Sequence, residues 1–139
     1  MKLTRTSFYL LSFTWGLPLT LWGCLVALVL LLRGEKPQRF GWAWYFRAGS
    51  SHWGGMEGGP FFVRDRSADE AINYHEYGHA IQNCLFGPLM IPLISLPSAI
   101  RYQYRRRRQR RGRRLPAAYD AIWFEGQASR LGRRYMPPR

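Results

Sequence analysis

Cysteine is scarce in this chain: there are two in 139 residues, Cys24 and Cys84, each in apolar surroundings, and no C-x-x-C pair. That excludes a thiolate zinc cage and a disulfide framework, and leaves both thiols as small buried hydrophobes. Acidic side chains are few as well, 8 against 21 Lys and Arg, for a formal net charge of +13. The imbalance is mostly local, because nine arginines fall within residues 101–114 and only +4 of the excess lies elsewhere. Basicity therefore says little about the surface as a whole. No A-x-A-like cleavage site precedes Arg33, which argues against reading the apolar N-terminal region as a cleaved signal peptide.

Long hydrophobic runs, by contrast, are present. Residues 8–32 carry no charge and are dense in Leu, Phe, Trp and Val. About 20 apolar residues span the roughly 30 Å hydrocarbon core of a bilayer, so this run predicts an N-terminal transmembrane helix. Trp15 and Trp22 lie within it, and Lys2, Arg5, Arg33 and Lys36 flank it. A second uncharged run, residues 84–100, is interrupted by Pro88, Pro92 and Pro97. It falls near the lower limit for a span and fits a kinked membrane helix, a re-entrant segment or a buried core piece.

Between the two runs the composition shifts to Gly, Trp and Arg. The aromatics of Phe40-Gly41-Trp42-Ala43-Trp44-Tyr45-Phe46 predict a β-hairpin or an extended interfacial chain. Residues 54–60 read as a loop, and Phe61-Phe62-Val63 as a short strand. Ser67-Ala68-Asp69-Glu70 has the spacing of a capping box, predicting a helix over 68–86 that Gly87-Pro88 ends. Residues 117–132 predict one more helix, with Phe124, Glu125, Ala128 and Leu131 on its inward side. The expected fold is thus mainly α with a small β-hairpin or strand element, an α+β class behind an N-terminal membrane helix.

Chemistry concentrates in His75-Glu76-Tyr77-Gly78-His79. On a helix, positions i and i+4 lie one above the other, so His75 and His79 can offer two imidazole nitrogens to one zinc ion. Glu76 then lies beside the metal as a general base. Gly78 lowers helix propensity, but its missing side chain lets another segment approach closely. A catalytic zinc usually has three protein ligands and one open position, so a third ligand is required. Glu125 leads, with His52 in the glycine-rich loop as the alternative and Asp120 a weaker third.

A helical H-E-x-x-H followed by a helix carrying E-x-x-A is similar to the gluzincin metallopeptidases. Within them it resembles the integral-membrane branch, whose third-ligand motif is E-x-x-A-D. His75-Glu76-Tyr77-Gly78-His79-Ala80-Ile81-Gln82, with Gly87-Pro88-Leu89 and Pro97-Ser98, also resembles small bacterial metallopeptidase-like, toxin-type modules. The resemblance covers roughly residues 53–132. It implies that His75, His79 and Glu125 hold Zn2+ and that Glu76 is the general base. It further implies a minimal zincin-like domain over 35–139 behind an anchor at 1–34. One position departs from the pattern: Ser129 stands where the family carries the Asp that orients a metal-binding His. The strand at 61–63 would take the family's edge-strand role, pairing with an extended peptide. His52, Tyr102 and Tyr119 are candidates to help stabilise an oxyanion.

The arginine block, including Arg105, Arg106, Arg107, Arg108, Arg110 and Arg111, follows an apolar segment. It predicts a basic connection over 101–114 that attracts anionic lipid on the cytoplasmic side of a cell membrane. Nucleic-acid binding is disfavoured, since Tyr102 and Tyr104 are the only nearby stacking groups. The zinc site faces the cytoplasm if 8–32 is the only span, and outward if 84–100 also crosses. The functional expectation is a membrane-anchored zinc metallopeptidase acting on a peptide or protein near the bilayer surface. Two other classes compete with it. One is a non-catalytic membrane protein braced by a structural zinc or a plain His pair. The other is a polybasic protein that binds anionic lipid or nucleic acid and carries an accidental pentad.

Overall fold

The computed structural model describes residues 2–115 and 117–138. The N-terminal apolar run is not one helix. It folds as α1 (Arg5–Phe13) and α2 (Leu17–Leu32), bent by 93°. Gly16 and Pro18 supply the local cause, because Pro lies in the first turn of α2, where its missing N–H costs nothing. A buried polar knot fixes the corner. Thr20 Oγ1 donates to the Ser12 carbonyl at 2.7 Å, and Asn83 Nδ2 lies 3.3 Å from the Gly16 carbonyl and 3.4 Å from Thr20 Oγ1. Polar groups buried among leucines need such partners, so the few hydroxyls of the run decide where it turns.

Four short strands follow: β1 (Gln38–Phe40), β2 (Ala43–Arg47), β3 (Gly55–Gly58) and β4 (Phe61–Arg64). Two hairpins, turning at Gly41-Trp42 and Gly59-Pro60, join into one mixed sheet of order β1-β2-β4-β3, with β2 and β4 parallel. The expected hairpin at 40–46 is therefore present. Two expectations change. Phe61-Phe62-Val63 lies in the centre of the sheet, where Phe62 and Val63 are buried, and the edges are β1 and the glycine-rich β3 that read as a loop. Glycine makes that edge possible. A Cβ on Gly58 would lie 2.4 Å from the Gly23 Cα of α2, and one on Gly55 would lie 2.5 Å from a Glu76 carboxylate oxygen.

The motif helix α3 runs Ala71–Phe86, three residues shorter at its start than the capping-box spacing predicts. Ser67 is engaged elsewhere, its backbone N–H donating to Asp65 Oδ1 at 2.7 Å and its hydroxyl to the same oxygen. Asp65 is fully buried, and the Ser67 hydroxyl bond is the main reason its carboxyl is lowered to about 2. The N-cap is Glu70, whose side chain makes no capping bond, and Asp69 just before it accepts from the Ala71 N–H at 3.0 Å.

After α3 the chain passes through a tight 3-10 turn (Gly87–Leu89) and a wider π-helical turn (Ile91–Ser95), with Pro88 and Pro92 near their starts, and reverses by 117° into α4 (Leu96–Arg110). The arginine block is therefore helical as far as Arg110 rather than a loop, and Arg107, Arg108 and Arg110 complement the negative end of the helix dipole. The last helix, α5 (Trp123–Arg134), starts later than position 117. The carbonyls that would open it are taken by arginines of α4: Arg101 donates to Ala118 O at 2.8 Å and to Tyr119 O, and Arg105 donates to Ala117 O.

No single described helix is long and apolar enough to cross a membrane. Many large apolar side chains nevertheless face outward on α2 and around the second bend, among them Leu21, Leu25, Leu28, Leu32, Leu89, Leu93, Leu96 and Ile100.

Candidate metal centre

Helices α3 and α5 cross at glycine. A Cβ on Gly78 would lie 1.8 Å from the Ala128 carbonyl oxygen, and one on Gly132 would lie 1.8 Å from that of Tyr74. The two backbones therefore touch, as the small residue in the pentad led us to expect. The contact brings Glu125 over the histidines one turn along. His75 Nε2 lies 3.0 Å from Glu125 Oε2, His79 Nε2 lies 3.1 Å from the same oxygen, and the two Nε2 atoms are 3.1 Å apart.

Such a triangle suits a cation. Tetrahedral ligands about 2.0–2.1 Å from one ion lie about 3.3 Å from each other, so the three atoms need to move only a few tenths of an ångström. The ring tautomers fit as well. Gln82 Nε2 donates to the Phe124 carbonyl at 2.9 Å and to Gln127 Oε1 at 2.8 Å, which fixes its amide orientation. Gln82 Oε1 therefore faces His79 Nδ1, at 2.7 Å, and that nitrogen must carry the proton. In the neutral ring the lone pair is left on Nε2, pointing at Glu125 and His75. His75 Nδ1 lies 3.0 Å from Ser129 Oγ, so the Ser that stands in the family's Asp position does face a ring nitrogen. His75, His79 and Glu125 form a group able to hold a metal ion.

The electrostatics follow from burial. Glu125 is fully buried, which alone would raise its pKa, but bonds from His75, His79 and the Ser98 hydroxyl (2.5 Å) hold it well below the usual carboxylate range. Burial opposes charge on His79, yet its bond to Glu125 and the nearby carboxylates outweigh this and push it up to about 9. A divalent ion would replace that proton as the positive charge at the centre. Burial raises the Glu76 carboxyl, with both histidines pulling it down and Glu125 adding to the rise. Glu57 is raised by burial to about 8, against the pull of His79. The Tyr119 hydroxyl is raised to about 12, by burial first and Glu125 second, so it keeps its proton at neutral pH.

A cleft of about 1260 Å³ opens onto the centre, and His75, Glu76, His79, Ser98, Tyr119 and Ser129 line it. Strand β3 forms part of one wall, and Tyr102, Arg105, Arg106 and Arg110 of α4 part of another. His52 and Asp120 line the same cleft but do not join the ligand group among the described residues. All three proposed oxyanion helpers line this cleft, and Tyr119 contacts the centre. Its ring lies 6.0 Å from that of His75, and its hydroxyl is 3.2 Å from Ser98 Oγ.

Sequence reasoning missed the parts played by Gln82, Gln127, Ser98 and Glu57. Gln82 carried a signal, lying one turn beyond His79 on the same helix face. Ser98 entered only within the Pro97-Ser98 wording of the resemblance, with no role attached to its hydroxyl. Comparison with family models, with curated proteins and with solved structures found no match to this chain.

Proposed function

We propose that the protein is a zinc-dependent metallopeptidase seated at a membrane. The single observation that carries this is the convergence of His75, His79 and Glu125 beside a buried Glu76, at the floor of an open cleft. Two imidazoles and one carboxylate suit zinc better than calcium or magnesium, which prefer oxygen ligands. Three protein ligands leave room for a fourth, which separates this arrangement from a closed structural site.

Zinc so held would act as a Lewis acid toward a carbonyl oxygen and make a nearby water more acidic. The chain's own residues supply the rest. Glu76 takes the proton of the attacking water and returns it to the leaving amine. Tyr119, protonated at neutral pH, donates toward the negative oxygen that develops on the scissile carbonyl. Gln82 and Ser129 hold the two imidazole rings in register. Edge strand β3, with Gly55 against Glu76, offers a wall along which an extended peptide can pair. This agrees with the gluzincin resemblance, with β3 rather than β4 as the edge.

Membrane seating rests on the outward apolar faces of α2 and of the bend before α4, where Leu21, Leu25, Leu28, Leu32, Leu89, Leu93 and Leu96 are exposed. Arg107 and Arg108 of α4 and Arg111 just past its end do not line the cleft, and in this reading they meet anionic headgroups. The test is Glu76→Gln in the full chain. It should keep one zinc per chain yet lower peptide hydrolysis by about 10²–10⁴-fold. Undiminished hydrolysis would remove the general base, and with it the peptidase reading.

A further inference from the structure

Because the arginine block is helical, its periodicity divides it. Arg105, Arg106 and Arg110 line the cleft that holds the metal centre, whereas Arg107, Arg108 and Arg111 do not. From the neighbouring helix, Arg133 lines the same cleft. Arg105 already donates to the Ala117 carbonyl and lies 5.5 Å from the Tyr119 ring centre. The guanidinium groups of Arg106, Arg110 and Arg133 make no ion pair or hydrogen bond among the described residues, although Arg106 is half-buried.

The carboxylates available to neutralise this wall are few. Of those lining the cleft, Glu76 is buried beside the metal centre, Glu57 is half-buried and accepts from the Gly59 N–H, Asp69 accepts from the Ala71 N–H, and Asp120 forms no ion pair among the described residues. Unpaired guanidinium groups in a partly enclosed cleft are arranged for an anionic guest, since each presents a planar fork of donors that matches a carboxylate.

We propose that the cleft selects acidic peptide segments, with Asp or Glu side chains flanking the scissile bond held by Arg106, Arg110 and Arg133. This rests on the peptidase reading of the centre. A peptide paired along β3 turns alternate side chains to one face of the sheet, and α4 residues line the same cleft as β3. Lipid phosphate is the less favoured guest here, because the apolar surface that would meet a bilayer belongs to α2 and the second bend.

The experiment uses full-length, zinc-loaded protein in neutral detergent and a labelled peptide whose residues flanking a neutral central bond are Glu, Gln or Lys. Binding is read on Glu76→Gln and hydrolysis on the wild type. The Glu peptide should bind on the order of tenfold more tightly than the Gln peptide, a few-fold per partly exposed pair. That preference should vanish in R106Q/R110Q/R133Q with zinc stoichiometry intact, and should shrink at ~0.5 M salt, where the Debye length falls to about 4 Å. Equal affinity for the three peptides, or a preference that survives in the triple variant, overturns the proposal. So does a triple variant that loses anionic vesicles but keeps the Glu peptide. Arginine-dependent binding without any hydrolysis would instead leave the basic wall standing and sink the peptidase reading.

Discussion

Replacing Gly78 with alanine sets two effects of opposite sign against each other. Helix propensity alone favours the change by about 1 kcal/mol, because Gly is the poorest helix former after Pro. Packing opposes it. The new Cβ would lie 1.8 Å from the Ala128 carbonyl oxygen and 2.8 Å from its Cα, a backbone that has no rotamer to yield. Restoring even a tight contact of about 3.0 Å requires α3 and α5 to part by more than 1 Å, and overpacking of this kind costs about 1–3 kcal/mol. The metal centre is the more sensitive reporter. Glu125 lies 3.1 Å from His79 Nε2 across this same contact, and ligation tolerates about 0.2 Å. Gly78→Ala should therefore lower Tm and weaken zinc binding by at least about 100-fold, read by competition with a chromophoric chelator. A variant that binds zinc as the wild type does and melts higher would refute the account of how the helices hold Glu125.

The other predictions concern the ring nitrogens and their protons. Ser129→Ala removes the partner of His75 Nδ1 and should cost about tenfold in zinc affinity, whereas Ser129→Asp should raise it above wild type; identical affinities for all three would dismiss that contact. Because zinc must displace a proton held on His79 up to about pH 9, apparent affinity should climb about tenfold per pH unit through neutrality and level off near 9, rather than near the ordinary value of 6.5. The same shift makes the chelator-treated chain lose stability as pH rises from 6.5 to 9, since over that window the folded state binds the extra proton. A Tm that is flat or rising there would contradict it.

The chemistry of the site was legible because it is local. Two histidines four residues apart, with Glu76 between them, need only a helix to become a half-site. Glu125 needed only a second helix with small residues on its inner face. The corrections arose where a local pattern met a distant partner. The run at 8–32 is apolar enough for one helix, but Thr20 bonds the Ser12 carbonyl across a corner that Asn83 of α3 braces at Thr20 and Gly16. Gly55–Gly58 lacks every side chain that marks a strand, and becomes one through its pairing with β4 and its fit against Gly23 and Glu76. Ser67 has the spacing of a cap, yet a buried carboxylate two residues earlier outcompetes it. The arginines read as a uniform basic block until helical periodicity turned some of them into the cleft.

The central claim is that His75, His79 and Glu125 hold one ion. X-ray absorption at the zinc edge of the reconstituted full-length protein tests it most directly. The account predicts one zinc per chain with two imidazole nitrogens at about 2.0–2.1 Å and a carboxylate oxygen at about 2.0–2.2 Å. One imidazole should be lost in His75→Ala and in His79→Ala, and the carboxylate in Glu125→Ala. Zinc bound without imidazole scattering, or unchanged spectra in those variants, would contradict it.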